Sequence, residues 1–155
     1  EELSLEKLQL LFELKKYAQT HKNLKIGFVF PMSGVRETIR LVFQEFGNGL
    51  SKEMVLSPYQ LKDEEFDILF VDESHRLTKR KNLGTTFRLF DEVCTTMDLN
   101  PDNSNQLDWI LKRAKYSVLF YDEDQSIKSS EPIRIRYNKI SINNANALFG
   151  RTAVY

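Results

Sequence analysis

Two adjacent acidic residues, Asp72 and Glu73, carry the clearest chemical signal in this sequence of 155 residues. They follow residues 68–71, an unbroken apolar run that is typical of a parallel strand buried on both faces. A carboxylate at the end of such a strand can hold Mg²⁺, because this ion prefers oxygen ligands. The next carboxylate can orient and deprotonate a water that attacks a phosphate. The pair therefore predicts a Walker B motif, the arrangement used for nucleotide hydrolysis.

The residues around this pair also have structural explanations. Acidic residues often follow a strand because they favour the N-terminal end of the next helix. His75 is more often solvated or structurally bonded than a metal ligand, and only His21 could join it, so we expect no zinc site. Arg76 opens a basic run over residues 76–81, which is either a solvated surface or a loop that contacts nucleic-acid phosphates.

Two further predicted strands, residues 24–30 and 116–121, also end in polar residues. Ligands of open α/β sheets bind at the carboxyl ends of the strands, so we expect all three ends to share one site. The polar residues at these two ends are Pro31, Met32, Ser33 and Arg36 after the first strand, and Asp122, Glu123, Asp124 and Gln125 after the second. The Gln125 amide can hydrogen-bond a phosphate or a water bound to one.

The elements that position these residues alternate between strand and helix. The predicted strands are residues 24–30, 54–56, 66–71, 116–121 and 132–137, and the predicted helices are residues 4–20, 33–46, 85–97 and 106–114. Ser33 is expected to cap the second helix at its start, and Gly47 or Gly49 at its end. The order predicts an α/β fold of three layers with a mostly parallel sheet. One domain is expected over residues 1–137, followed by an irregular segment over residues 138–155, which is rich in Asn.

Composition and charge narrow the possible functions. Lys plus Arg total 22 and Asp plus Glu total 22, so the net charge of zero excludes bulk electrostatic binding to nucleic acid or membrane, although not a local patch. No apolar run approaches the ~20 residues of a membrane span, and no membrane partner is expected. Cys94 is the only cysteine, which excludes an internal disulfide framework. We therefore expect a cytoplasmic protein.

Three stretches, taken in order, resemble the first motor domain of superfamily 1 helicases. The stretches are FVFPMSGVRET (residues 28–38), FDILFVDESHRL (residues 66–77), and the segment over residues 106–126 that ends in VLFYDEDQS. More specifically, the chain resembles the Schlafen group 3-like DNA/RNA helicase domain family over about residues 24–131. The resemblance implies a RecA-like P-loop NTPase fold that uses ATP and Mg²⁺ and binds single-stranded DNA or RNA.

The resemblance also implies a role for each candidate residue. Asp72 would coordinate Mg²⁺ and Glu73 would be the catalytic base. Gln125 would lie at the third helicase motif and sense the terminal phosphate, with Asp122 beside the nucleotide. Residues 31–36 would match motif Ia, which contacts the backbone of a single strand.

One departure from this family pattern is the phosphate-binding loop. Its pattern is Gly-x-x-x-x-Gly-Lys-Ser/Thr, and none of the six glycines is followed by lysine. We therefore expect an incomplete motor domain that lacks the Walker A segment and a second motor domain, and that does not hydrolyse ATP alone. Without the phosphate-loop strand, the edge of residues 116–121 would be exposed. Residues 132–137 or a homodimer would then cover that edge.

Two other functions compete with the motor interpretation. The first is a non-catalytic module that binds nucleic acid or protein and has kept a degenerate NTPase fold. The second is a Mg²⁺-dependent nuclease that uses Asp72, Glu73, Asp122 and Asp124. The Walker B order explains these acidic residues more simply than a nuclease does.

Overall fold

The structure is a computed structural model, and it describes residues 13, 16, 20, 23–47, 49–120 and 152–154. Within these residues, five strands form one sheet. The strands are β1 (Ile26–Val29), β2 (Val55–Leu56), β3 (Phe66–Val71), β4 (Ala114–Leu119) and β5 (Thr152–Val154). Their order is β2-β1-β3-β4-β5, and every pairing is parallel. The predicted α/β fold with a parallel sheet is thereby confirmed.

Helices lie between β1 and β2 and between β3 and β4, where parallel strands need long crossover connections. The α-helices are α1 (Ser33–Phe46), α2 (Phe87–Thr96) and α3 (Gln106–Arg113). Short 3₁₀ turns complete the connections, at Lys52–Met54, Pro58–Asp63, Ser74–Arg76 and Gly84–Thr86.

Both faces of the sheet are covered, so the described elements form three layers. Successive residues of β3 point to opposite faces. Phe70 packs with Phe28 and Phe43 beneath α1, and the Phe28 ring centroid lies 5.0 Å from Phe43 and 5.2 Å from Phe70. Leu69 joins the other core, which α2 and α3 close with residues that include Trp109. This burial explains why residues 68–71 lack polar alternation.

The start of α1 differs from the prediction. Ser33 is the first helical residue, and Met32 holds the N-cap position without a side-chain hydrogen bond. The prediction that Ser33 caps this helix was therefore wrong by one residue, because Met32 is still extended (φ −81°, ψ 124°). Gly47 ends the helix as predicted, with φ at 53° and its N–H donating to the Phe43 carbonyl. Glycine adopts this left-handed conformation without the clash that a side chain causes.

The outer edge of β4 is paired with β5. Ser117 lies opposite Thr152, and Leu119 lies opposite Val154. The expectation of an irregular C-terminal segment was wrong for these three residues, because their backbone groups complete the ladder of β4. β5 thus lies at the edge that the sequence prediction assigned to residues 132–137 or a second copy of the chain. Residues 132–137 are outside the described residues, as is most of the predicted N-terminal helix.

Across the residues that the structure describes, we find no helix that combines the length and apolar character of a membrane span.

Asp67 joins three strands at their amino ends. Its carboxylate accepts the Lys25 backbone N–H at 2.8 Å and the Lys115 ammonium at 2.6 Å. The hydrogen bond from Lys115, and then the bond from the Lys25 N–H, lower the pKa of Asp67 below its usual range. Both bonds favour the charged carboxylate in the folded state.

We expect this carboxylate to make stability depend on pH. Because its folded pKa is lowered, its contribution is present above the unfolded pKa of about 3.9 and is lost as pH falls through the lower folded value. Urea unfolding should show wild type more stable than Asp67→Asn at pH 7. This difference should shrink as pH falls below about 4. A difference that does not change with pH would contradict the role of the charge.

Candidate active site at the carboxyl ends of the strands

The parallel register places the ends of three strands at one edge of the sheet. Val71, the last residue of β3, lies opposite Val29 of β1 on one side and Leu119 of β4 on the other. Backbone bonds continue past the strands, because the Asp72 N–H donates to the Val29 carbonyl at 3.0 Å and the Phe120 N–H to the Val71 carbonyl at 2.9 Å. Asp72 therefore leaves the sheet between its two neighbouring strands, as the sequence predicts.

The turn after β3 is held against the end of β4. Ser74 is buried, and its backbone N–H and hydroxyl both donate to the Phe120 carbonyl, at 2.9 and 2.7 Å. Glu73 adopts the left-handed conformation with φ at 48° and ψ at 45°. This conformation costs a non-glycine residue on the order of 1 kcal/mol. The bonds of Ser74 fasten the turn and so fix the direction in which Asp72 and Glu73 leave the strand.

The Glu73 carboxylate contacts His75 and Arg76, which follow it in the same turn. Its Oε2 lies 3.2 Å from His75 Nε2 and 3.3 Å from Arg76 Nε. The His75 side chain is only 4% exposed and the Glu73 side chain 17%, whereas the Arg76 side chain is 39% exposed. Glu73 is therefore held between a buried partner and one that solvent reaches.

The residues of the predicted motif Ia lie at the end of β1. Ser33 is exposed, and Pro31 and Met32 are half-buried. The Arg36 guanidinium turns back to the loop, where Nη1 donates to the carbonyls of Phe30 at 2.7 Å and Pro31 at 3.2 Å. Arg36 thus fixes the shape of the loop. Burial is the main cause that lowers its pKa, followed by the charge of Arg40.

The third predicted part of the site lies outside the described residues. Asp122, Asp124 and Gln125 follow Phe120, the last residue described after β4. The structure therefore brings together the ends of β1 and β3, and it describes β4 up to the point where the third motif would begin.

Two residues of the basic run beyond Arg76 are bonded to other parts of the chain. The Arg80 guanidinium pairs with Asp91 through Nε at 2.6 Å and Nη2 at 2.8 Å, and with Asp102 at 3.1 Å. These bonds, above all those to Asp91, raise the pKa of Arg80. Lys79 forms a β-bridge to Asn105 at the start of α3. Sequence reasoning missed both acidic partners of Arg80, because they lie 11 and 22 residues away.

The side chains at this edge suit Mg²⁺ better than a metal ion whose ligands all come from the protein. Among the residues described, no group of three or more His, Cys, Asp or Glu side chains could hold an ion. Mg²⁺ usually keeps several waters and binds one or two carboxylates together with the phosphates of a substrate. Asp72, half-buried at the end of a strand, has the carboxylate that such a site would need.

Comparison with known proteins gives one family. The family model described as "Schlafen group 3, DNA/RNA helicase domain" matches residues 4–148. No curated protein and no solved structure shows a significant match to the chain.

Proposed function

The chain belongs to the Schlafen group 3 DNA/RNA helicase domain family, and from this premise we propose that it forms part of a motor coupling ATP hydrolysis to nucleic-acid binding. The family indicates a helicase-related role with a nucleic acid as partner. It also suggests, in general terms, dependence on a nucleotide and a metal. Our proposal is narrower: it names ATP, Mg²⁺, single-stranded DNA or RNA, and a RecA-like arrangement of the sheet.

The observation that carries this proposal is the position of Asp72 and Glu73 at the carboxyl end of the central strand β3. Asp72 would hold Mg²⁺, and the ion would neutralise charge on the phosphates. Glu73 would accept a proton from the attacking water. In the same proposal, Asp122 and Gln125 contact the nucleotide, and residues 31–36 contact the nucleic-acid backbone. Exposed Ser33 is the motif Ia residue best placed for that contact, since Arg36 is bonded to its own loop.

The missing phosphate-binding loop limits what these residues do alone. A loop of backbone N–H groups with one lysine normally holds the phosphates, and the 155 residues contain no such sequence. We therefore propose that a Walker A segment and a second motor domain, both outside these residues, complete the site. The chain alone would bind nucleic acid without hydrolysing ATP.

Two matched assays test this proposal. The chain alone should bind a fluorescent single-stranded oligonucleotide and show no Mg²⁺-dependent release of phosphate from ATP. A protein that joins these residues to a phosphate loop and a second motor domain should hydrolyse ATP faster when single strands are added. Turnover by the chain alone, or turnover by the joined protein that ignores nucleic acid, would contradict the proposal.

A non-catalytic binding module is the second candidate. Two observations favour it: the sequence has no phosphate loop, and the Glu73 carboxylate is already engaged by His75 and Arg76. It predicts nucleic-acid binding with no turnover even in the joined protein. The nuclease alternative has less support, since the Walker B order already explains these acidic residues.

A further inference from the structure

We propose that Arg76 is a positioning residue that keeps Glu73 from the attacking water until a nucleic-acid phosphate replaces the Glu73 carboxylate as the partner of Arg76. This inference rests on the proposed function of Glu73 as catalytic base. It adds a regulatory step, in which Arg76 binds first the Glu73 carboxylate and then a nucleic-acid phosphate. The argument depends on the geometry of the turn after β3.

The first step concerns which partner of Glu73 a nucleic acid can reach. His75 Nε2 and Arg76 Nε both lie near the same oxygen of Glu73, at 3.2 and 3.3 Å. The His75 side chain is 4% exposed and is closed to a ligand as large as a nucleic acid, but the Arg76 side chain is 39% exposed. Of these two partners, only Arg76 can exchange the carboxylate for a phosphate at the surface.

The second step concerns the chemistry of the exchange. The planar guanidinium of arginine binds carboxylates and phosphates through similar hydrogen bonds. The Glu73–Arg76 pair is partly exposed, so it is weak enough to be displaced. The next arginine of the run, Arg80, is held by Asp91 through two bonds and by Asp102 through a third, so it is a poor competitor for a phosphate.

The third step concerns the consequence for Glu73. While Glu73 Oε2 is bonded to Arg76 Nε, the carboxylate is held toward the turn and this oxygen is less accessible to an attacking water. When Arg76 moves to a phosphate, that bond is broken, and His75 Nε2, which lies 3.2 Å from the same oxygen, stays beside it. Binding of a strand would thus free the base, which would make hydrolysis depend on the nucleic acid.

Because Glu73 and a phosphate compete for the same arginine, each should weaken the binding of the other, and this can be tested without ATP turnover. If Glu73 and a phosphate compete for Arg76, removing the Glu73 charge must tighten nucleic-acid binding. We would measure the anisotropy of a labelled oligothymidylate with the chain alone at low salt. Glu73→Gln should tighten binding about two- to five-fold, the range that measured exposed ion pairs imply. Arg76→Gln should weaken it, and adding Glu73→Gln to Arg76→Gln should bring no further change.

The control is Glu65→Gln, which makes the same charge change at the amino end of β3. The Glu65 side chain is 83% exposed and lies 3.9 Å from its cationic partner, Arg113. Equal tightening by Glu65→Gln, or tightening by Glu73→Gln that persists without Arg76, would reflect net charge alone and would overturn the inference. No binding by any variant, wild type included, would count against the proposed function and the inference together. Binding without coupling would count against the inference alone.

A second measurement covers variants that fold poorly. The Arg76 Nε–Hε signal of the wild-type chain, assigned by its loss in Arg76→Gln or by triple-resonance methods, should shift as oligothymidylate is added. The shift should saturate over the concentrations that saturate the anisotropy. A signal that stays fixed while the oligonucleotide binds would overturn the inference.

Discussion

Replacing Glu73 by Gln should lower nucleic-acid-stimulated ATP turnover by about 10²–10⁴-fold in a protein that joins these residues to a phosphate loop. Gln has the size of Glu and can occupy the same place in the turn, but its amide cannot accept the proton of the attacking water. The turn after β3 should persist, because Ser74 fastens it to the Phe120 carbonyl with two bonds. The assay is phosphate release with saturating single strands and Mg²⁺.

Two further variants show whether the loss of turnover is specific to Glu73. Glu65→Gln removes the same charge at the opposite end of β3 and should leave turnover unchanged. Asp72→Asn should instead raise the Mg²⁺ concentration needed for half-maximal turnover, since an amide oxygen is a weaker ligand than a carboxylate. Turnover in Glu73→Gln close to that of wild type would exclude Glu73 as the base.

Replacing Trp109 by Ala should destabilise the fold by about 3–5 kcal/mol, the usual cost of removing a large buried aromatic residue. Trp109 is a residue of α3 and is fully buried in the core that α2 and α3 close against the sheet. Its ring centroid lies 4.6 Å from Phe90 and 5.5 Å from Tyr59, and its Nε1 donates to Cys94 Sγ at 3.3 Å. Domains of this size have a net stability of about 5–15 kcal/mol, so the variant should be near unfolding.

Urea unfolding followed by circular dichroism measures this effect. Trp109→Phe should cost less than Trp109→Ala, because a ring still fills most of the space, although the bond to Cys94 and the volume of the second ring are lost. Tyr116→Ala is the matched control on β4, where the side chain is 52% exposed and its removal should change stability by only about 0.5 kcal/mol. A similar loss of stability in Trp109→Ala and Tyr116→Ala would show that burial in this core does not stabilise the fold.

Together these experiments separate folding from chemistry. Glu73 lies in a turn outside both core clusters, whereas Trp109 is buried in one of them. Loss of turnover with normal stability would identify a residue of the site, and loss of both would identify a residue of the scaffold.

The sequence alone determined the elements whose signals are local. Residues 66–71 were predicted as a strand and form β3 with those bounds, because an apolar run bounded by polar residues needs burial on both faces. Gly47 was predicted to end α1 and does so, because the left-handed conformation favours glycine. The acidic pair was predicted at the end of its strand, since side chains that directly follow a strand must lie there.

Predictions at the ends of elements were less accurate. α2 begins at Phe87, after a 3₁₀ turn, where a helix was expected from residue 85. β4 begins at Ala114, where the sequence favoured a helix, because Ala114 pairs with Phe66 of β3. Pairing with a neighbouring strand can override a local preference, and a single sequence does not reveal the neighbour.

Only the tertiary structure decided the contacts between distant residues. Gly27 is one example: a Cβ there would lie 2.8 Å from Leu69 Cδ2, so the glycine leaves room for the Leu69 side chain. Arg80 is another, since it binds Asp91 and Asp102, whereas the sequence left open a solvated surface or a phosphate contact. The pairing of β5 with β4 was equally invisible in the sequence.

The physical reason for this division is the range of the interactions. Periodicity, capping and turn preferences act over a few residues, so they can be read along the chain. The partner of a guanidinium, the space beside a glycine and the neighbour of a strand depend on how the chain folds back on itself. The sequence therefore determined the acidic pair and the strand that carries it, and the tertiary structure decided that Asp72 lies between the ends of β1 and β4.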